Sequence, residues 1–255
     1  MAANGFESTI TQTTQAAERI GQLERLRTSC KSAPVAKAVE MESGMNINVR
    51  SAKVADADII MQVCNEVWGD VWQSEKQMFI DRITAFPECG IVVGEIDGRI
   101  EGYVSIQLAN EDVIRLPTWD ESTDFGHFTK SHNPSGDWLH GAGLAVTLKG
   151  CRAGLTEKLI QFLYEYAIAE QKKGCRFITR IPGYYNFKDK ISPEEYVCIK
   201  RNGRSIDPEL RVLGRYGFSV VEPPVIYTNY VEGGGDPKSC GLSVLIERLN
   251  PNLES

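Results

Sequence analysis

The residues best spaced for chemistry lie between His140 and Ile160. A strand-like run, His140-Gly-Ala-Gly-Leu-Ala-Val146, passes through the loop Thr147-Leu-Lys-Gly-Cys-Arg-Ala153 into a helix opening Gly154-Leu-Thr-Glu-Lys-Leu-Ile160. A glycine-rich turn feeding a helix N-terminus presents unpaired backbone N–H groups and the positive end of the helix dipole. That combination suits an anion such as a pyrophosphate, although the same junction can simply turn the chain. Lys149 and Arg152 add positive charge at the same place. The spacing is neither a Walker loop nor G-x-G-x-x-G, which argues against nucleotide hydrolysis and dinucleotide binding. Seven cysteines, Cys30 to Cys240, are scattered without a C-x-x-C pair, so they read as reduced thiols and no metal site is expected.

The elements that must position this junction follow from periodicity. Residues 48–52 read as a short strand, and Asp56 can cap a helix whose apolar stripe is Ile59, Ile60, Val63, Val67 and Val71. Residues 89–96 and 100–107 are two β runs joined by Asp97-Gly98, a strong hairpin signal. Residues 108–136 form a long polar stretch holding His127 and His132, which reads as a functional loop or lid. Residues 138–146 resume as a strand, and 155–173 carry the clearest helical stripe, Leu155, Leu159, Phe162, Leu163, Tyr166 and Ala167. Strand 176–181, a short helix at 210–216 stopped by Gly217, and strand 241–249 complete a β-α-β-β-β-α-β-α-β order. That is a mixed α/β (α+β) domain.

Composition narrows the classes. The chain has 255 residues, with 28 Lys and Arg against 34 Asp and Glu, a net charge of −6. An acidic balance argues against nucleic-acid binding, which needs a basic footprint. The longest apolar run, 89–94, is core-strand length, so no membrane span is expected. The N-terminal text lacks a basic flank with an apolar stretch, so it is not read as a secretory signal, and a cytoplasmic protein is expected. Residues 1–45 differ in composition from the rest. They read as a leader or adaptor-like extension, with an amphipathic helix at 13–28 and a linker at 31–43, and residues 46–255 form the main domain. The extension is either a solvated leader or a docking helix.

In its place within the element order, Cys151-Arg-Ala-Gly-Leu-Thr156 resembles the pyrophosphate loop of the GNAT acyltransferase superfamily, R/Q-x-x-G-x-G/A before an amphipathic helix. Gly154 matches the required glycine, while Cys151 and Thr156 depart from the pattern. The segments Ser131-His-Asn-Pro-Ser-Gly-Asp-Trp138, Arg180-Ile-Pro-Gly-Tyr184, Pro193-Glu-Glu-Tyr-Val197, Asp207-Pro-Glu-Leu-Arg211, Tyr216-Gly-Phe218, Asn229-Tyr230 and Gly241-Leu-Ser-Val-Leu-Ile246 resemble one branch of it. That branch holds cyanobacterial stand-alone members, domains fused to nitrilase-like hydrolases, and the GNAT-like loading domains of polyketide synthases (curacin type). The resemblance covers about four fifths of the chain, residues 48–251.

The resemblance implies a single GNAT-type domain with a central, mostly antiparallel twisted sheet flanked by helices. It implies acyl-CoA, as acetyl-CoA or malonyl-CoA, as a co-substrate rather than a permanent cofactor. Gly143, Leu144, Ala145, Val146, Arg152, Ala153, Gly154, Leu155 and Thr156 are the expected CoA-binding residues. Acetyl is the expected group, and a small amine or the thiol of an acyl carrier protein the expected acceptor. Decarboxylating loading domains use a Thr, matched by Thr179, and a His whose position here is Leu213. Ordinary GNATs often place an acidic Tyr at that position, and Leu213 can do neither job. Candidate catalytic residues are therefore Thr179, His140 as a base or a satisfied strand histidine, and Trp72 in the substrate pocket with Trp68 as its rival. His127, His132, Tyr184, Tyr185, Tyr216 and Cys151 are further candidates, each with a solvated or packing alternative. An S- or N-acyltransferase, a decarboxylating loading domain and a non-catalytic acyl-CoA-binding module are the readings left open.

Overall fold

A computed structural model describes residues 45–69, 74–228 and 236–253, all within one unit, Met41–Ser255. The expected helix at 13–28, the linker at 31–43, Val71, Trp72 and Asn229-Tyr230 lie outside the described residues. Strand β1 (Ile47–Ser51) precedes helix α1 (Ala57–Trp68), and α2 (Lys76–Ala85) leads to the hairpin of β2 (Ile91–Ile96) and β3 (Arg99–Ala109). Asp97 and Gly98 both take positive φ, 53° and 78°, as the two-residue turn demands. Short helices α3 (Glu111–Ile114) and α4 (Trp119–Thr123) precede β4 (Trp138–Val146). Then come α5 (Leu148–Arg152), α6 (Leu155–Ala169), β5 (Gly174–Arg180) and α7 (Pro193–Cys198). A two-residue ladder of β6 (Lys200–Arg201) and β7 (Arg204–Ser205) leads to α8 (Pro208–Arg215). Strands β8 (Ser219–Val220), β9 (Ile226–Tyr227) and β10 (Ser243–Leu249) finish the sheet.

The main sheet runs β1-β2-β3-β4-β5-β10-β8, with β9 also paired to β10. Every pairing is antiparallel except β4 with β5. That parallel joint holds only four registered pairs, from Trp138↔Gly174 to Gly141↔Phe177. Beyond it β4 follows β3 and β5 follows β10, so the two arms part. A bulge drives the parting: the β3–β4 register jumps from Ile106↔Gly141 to Ser105↔Gly143, leaving Ala142 as the extra residue. Gly141 is required at the apex, because a Cβ there would fall 1.5 Å from Cδ1 of Phe177.

Helix α6 packs Leu155, Leu159, Ile160, Leu163 and Ala167 on one sheet face, while α1 and α2 cover the other around Ile60, Phe79 and Tyr103. The α1 stripe differs from expectation. Ile60 and Val63 are buried as expected, while Ile59 and Val67 are exposed, because the sheet-facing seam runs through Ala57, Ile60 and Cys64. Asp56 sits at the N-cap without a side-chain cap bond; its carboxylate instead accepts from Arg50 (2.7 Å) and from the N–H of Lys53 (2.8 Å). Helix α6 ends at Ala169 rather than 173, where Gln171 turns at φ 51° to start the approach to β5.

The stretch 108–136 is a packed cover rather than an irregular lid. Trp119 and Phe128 pack on Ala142, and the fully buried Arg82 of α2 donates to the Gly126 carbonyl and to Ser105 Oγ (3.0 Å). No helix among the described residues is long and apolar enough to cross a membrane.

Candidate active site

The parted arms of β4 and β5 open into a cavity of about 470 Å³. Its walls are Gly141 to Leu144 and Val146 on one arm, Phe177 to Arg180 on the other, and Pro208, Glu209, Val212 and Leu213 of α8. Cys151 and Thr156 stand at the α6 end, and Trp68, Tyr103, Pro182 and Asp236 complete the lining.

At the α6 end, Thr147 caps α5 by accepting from the N–H of Gly150 (3.1 Å) and donates to Glu101 Oε2 (2.7 Å). Lys149 is engaged by the same carboxylate at 3.0 Å, so its charge is answered away from the junction. Gly154 takes φ 78°, the left-handed conformation that favours glycine, and it offers no side chain to cap α6. The N–H groups of Leu155, Thr156 and Glu157 consequently donate to no acceptor among the described residues. Arg152 is exposed beside them, Ala153 is partly exposed, and Leu155 is fully buried, so it presents only its backbone here.

Along β4, the Trp68 indole donates to the Leu144 carbonyl at 3.1 Å. An extended residue sends its N–H out on the same edge as its C=O, so the Leu144 N–H faces the gap. Ala145 points the opposite way, buried with Tyr103 against α1 and α2. Trp68 also lies 5.5 Å below the Arg180 guanidinium, which is held by Asp236 through Nε–Oδ2 (2.7 Å) and Nη2–Oδ1 (2.5 Å). One tryptophan therefore links the β4 arm to the β5 arm.

Thr179 Oγ1 lies 3.1 Å from Glu209 Oε1. Burial raises the Glu209 carboxyl to about 7, against the opposing pull of Arg180 and the Thr179 hydrogen bond. Asp207 and Asp236 push in the same direction as burial. Leu213 lines the same cavity and is 7% exposed.

Several residues singled out by type and spacing fall elsewhere in space. His140 pairs in register with Gln107 and Arg176 and is fully buried outside the cavity, and among the described residues neither ring nitrogen meets a partner at full hydrogen-bond geometry. Burial lowers its pKa to about 4, so it is a neutral strand residue and not a base at the gap. His127 Nδ1 lies 2.7 Å from Asp81 Oδ2, and His132 accepts from the Leu108 N–H while stacking on Phe86. Tyr184 donates to the Ile191 carbonyl, Tyr185 is exposed, and Tyr216 lies outside the cavity lining. Trp68 lines the cavity; Trp72 is not among the described residues. Sequence reasoning missed Glu209, Tyr103 and the Arg180–Asp236 pair. An acid in the first turn of a helix is ordinary, and Arg180 and Asp236 lie 56 residues apart, so neither announced itself.

Comparison with known proteins agrees with this architecture. An uncharacterized N-acetyltransferase of Bacillus subtilis (strain 168), YkwB, is 32% identical over 178 residues, which is 69% of this chain and 75% of that one. The loading GNATL domain of CurA from Lyngbya majuscula superposes with a TM-score of 0.68 at 19% identity, over 80% of this chain and 98% of that one. The GphF GNAT-like decarboxylase, solved in complex with isobutyryl-CoA, gives 0.65 at 20% identity, over 79% and 98%. No protein-family model matches. The chain belongs to the GNAT acyltransferase superfamily.

Proposed function

We propose that this protein transfers an acyl group, acetyl first, from acyl-CoA to a nucleophilic acceptor. The observation that carries the reading is the four-pair joint of β4 and β5, opening into a cavity that ends at an uncapped helix N-terminus. The free N–H groups of Leu155 to Glu157, with Arg152, suit the CoA pyrophosphate. The gap-facing N–H of Leu144 suits the pantetheine and the thioester carbonyl, whose developing charge it would stabilise. Thr179 and Glu209 line the reacting end. Glu209 accepts the proton of the acceptor group, the acceptor attacks the carbonyl carbon, the C–S bond breaks and CoA leaves as its thiolate. That leaving group needs little help, so an apolar Leu213 slows such a reaction without stopping it.

Two acceptors have separate support. YkwB is named as an N-acetyltransferase, which favours an amine. The likeness to a loading domain favours the phosphopantetheine thiol of a carrier protein. CoA release from acetyl-CoA, measured with amines and with a phosphopantetheinylated carrier analysed by mass spectrometry, tests the reading. Acceptor-dependent release supports it; acetyl-CoA that binds without transfer to either class leaves a non-catalytic acyl-CoA-binding module in its place.

A further inference from the structure

Among the described residues, three charged side chains line the cavity: Arg180, Asp236 and Glu209. Arg180 and Asp236 hold one another through two hydrogen bonds, and the pair is 17% and 4% exposed at its side chains. The guanidinium charge is thus answered inside the protein and flanked by the Trp68 ring. Glu209 remains as the acid aimed at the reacting end, tied by Thr179 to the β5 arm. The lining beside it, Phe177 and, one turn on along the same helix, Val212 and Leu213, offers no charge or side-chain hydrogen bond.

We propose that Glu209 sets the acyl-donor specificity of this site, admitting uncharged acyl groups such as acetyl and turning away acyl-CoA donors that end in a second carboxylate, such as malonyl-CoA. The proposal rests on the acyl-CoA reading above. A dicarboxylic acyl group would bring its anion into the same low-dielectric space as Glu209, with Arg180 already engaged by Asp236. Like charges there oppose binding only while Glu209 is ionised. The groups that face it are the Thr179 hydroxyl and the Arg180–Asp236 pair from across the cavity, and Asp207 from the N-cap of its own helix. With the carboxyl poised at about 7, acid conditions convert Glu209 from a repelling anion to a hydrogen-bond donor. Discrimination should therefore be strong at pH 8 and weak at pH 6.

The test is calorimetric titration of the full chain with CoA, acetyl-CoA and malonyl-CoA at pH 8 and pH 6, repeated on Glu209→Gln. At pH 8 the wild type is expected to bind malonyl-CoA about tenfold more weakly than acetyl-CoA, a gap of about 1.4 kcal/mol. The ratio should fall to about twofold at pH 6, and stay near twofold at both pH values in Glu209→Gln. The wild-type pH comparison stands by itself if the variant does not fold. Equal affinities at pH 8, a ratio indifferent to pH, or a folded Glu209→Gln protein with the wild-type ratio would each overturn the proposal while leaving acyl-CoA binding intact. Failure to bind CoA or either thioester would overturn the reading on which it rests.

Discussion

Burial shifts both His140 and Glu209 toward their uncharged forms, one a base and the other an acid, so their effects on stability oppose each other. Folding lowers His140 from 6.5 to about 4, so the native state binds fewer protons than the unfolded chain across that window. Its stability contribution is present above 6.5 and is lost as the pH falls, by about 3 kcal/mol in full. Folding raises Glu209 from 4.5 to about 7, so the native state binds more protons and stability is lost as the pH rises through that range. The Glu209 effect is the smaller, because part of that residue remains in solvent. Urea titrations of the wild type should show a shallow dependence between pH 4.5 and 6.5. His140→Gln should lose stability with rising pH there, and Glu209→Gln should gain it. At the other end of the cavity, Gly154→Val forces a branched side chain into φ 78° and should weaken CoA binding at least tenfold. Arg152→Ala should weaken it about threefold, by an amount that shrinks in high salt, since this arginine is exposed. Unchanged CoA affinity in both variants would remove the α6 terminus from the site.

At the scale of elements, the short parallel joint is the feature that makes a cleft, and the contact of Phe177 with Gly141 sets where it ends. Gly141→Ala should cost about 2 kcal/mol in denaturant unfolding, and Phe177→Ala should relieve much of that cost in the double variant. Additive losses would show that the ring has room to move. The hairpin and α6 were legible in the sequence because a two-residue turn and a helical stripe are local signals. Helix α2 was not, because its buried face includes Arg82, a charged residue where periodicity looks for an apolar one. Strands β8 and β9 are two residues each, too short for alternation to register. The junction proposed to bind the pyrophosphate was readable from its glycine and helix opening, whereas the acid-lined end was not. Thr179, Arg180, Glu209 and Asp236 come together only through the β5–β10 pairing and the seating of α8.

On the scale of the whole molecule, two antiparallel half-sheets, β1 to β4 and β5 with β8 to β10, meet at four residue pairs. A ligand that touches both halves binds only when they are assembled. Acetyl-CoA at a hundred times its dissociation constant should therefore add about 2.7 kcal/mol and raise the melting temperature by several degrees. A melting temperature unmoved at saturation would mean that the ligand does not bind the folded state preferentially. The Trp68 indole gives this assembly an optical readout. Its N–H rests on the Leu144 carbonyl of one half and its ring lies against the Arg180 guanidinium of the other. Occupation of the gap must alter the field around that chromophore, so its emission should shift as acyl-CoA enters. Trp68→Phe should remove most of that change while leaving the fluorescence of Trp72, Trp119 and Trp138 in place, turning the strut between the arms into a built-in gauge of what the cleft holds.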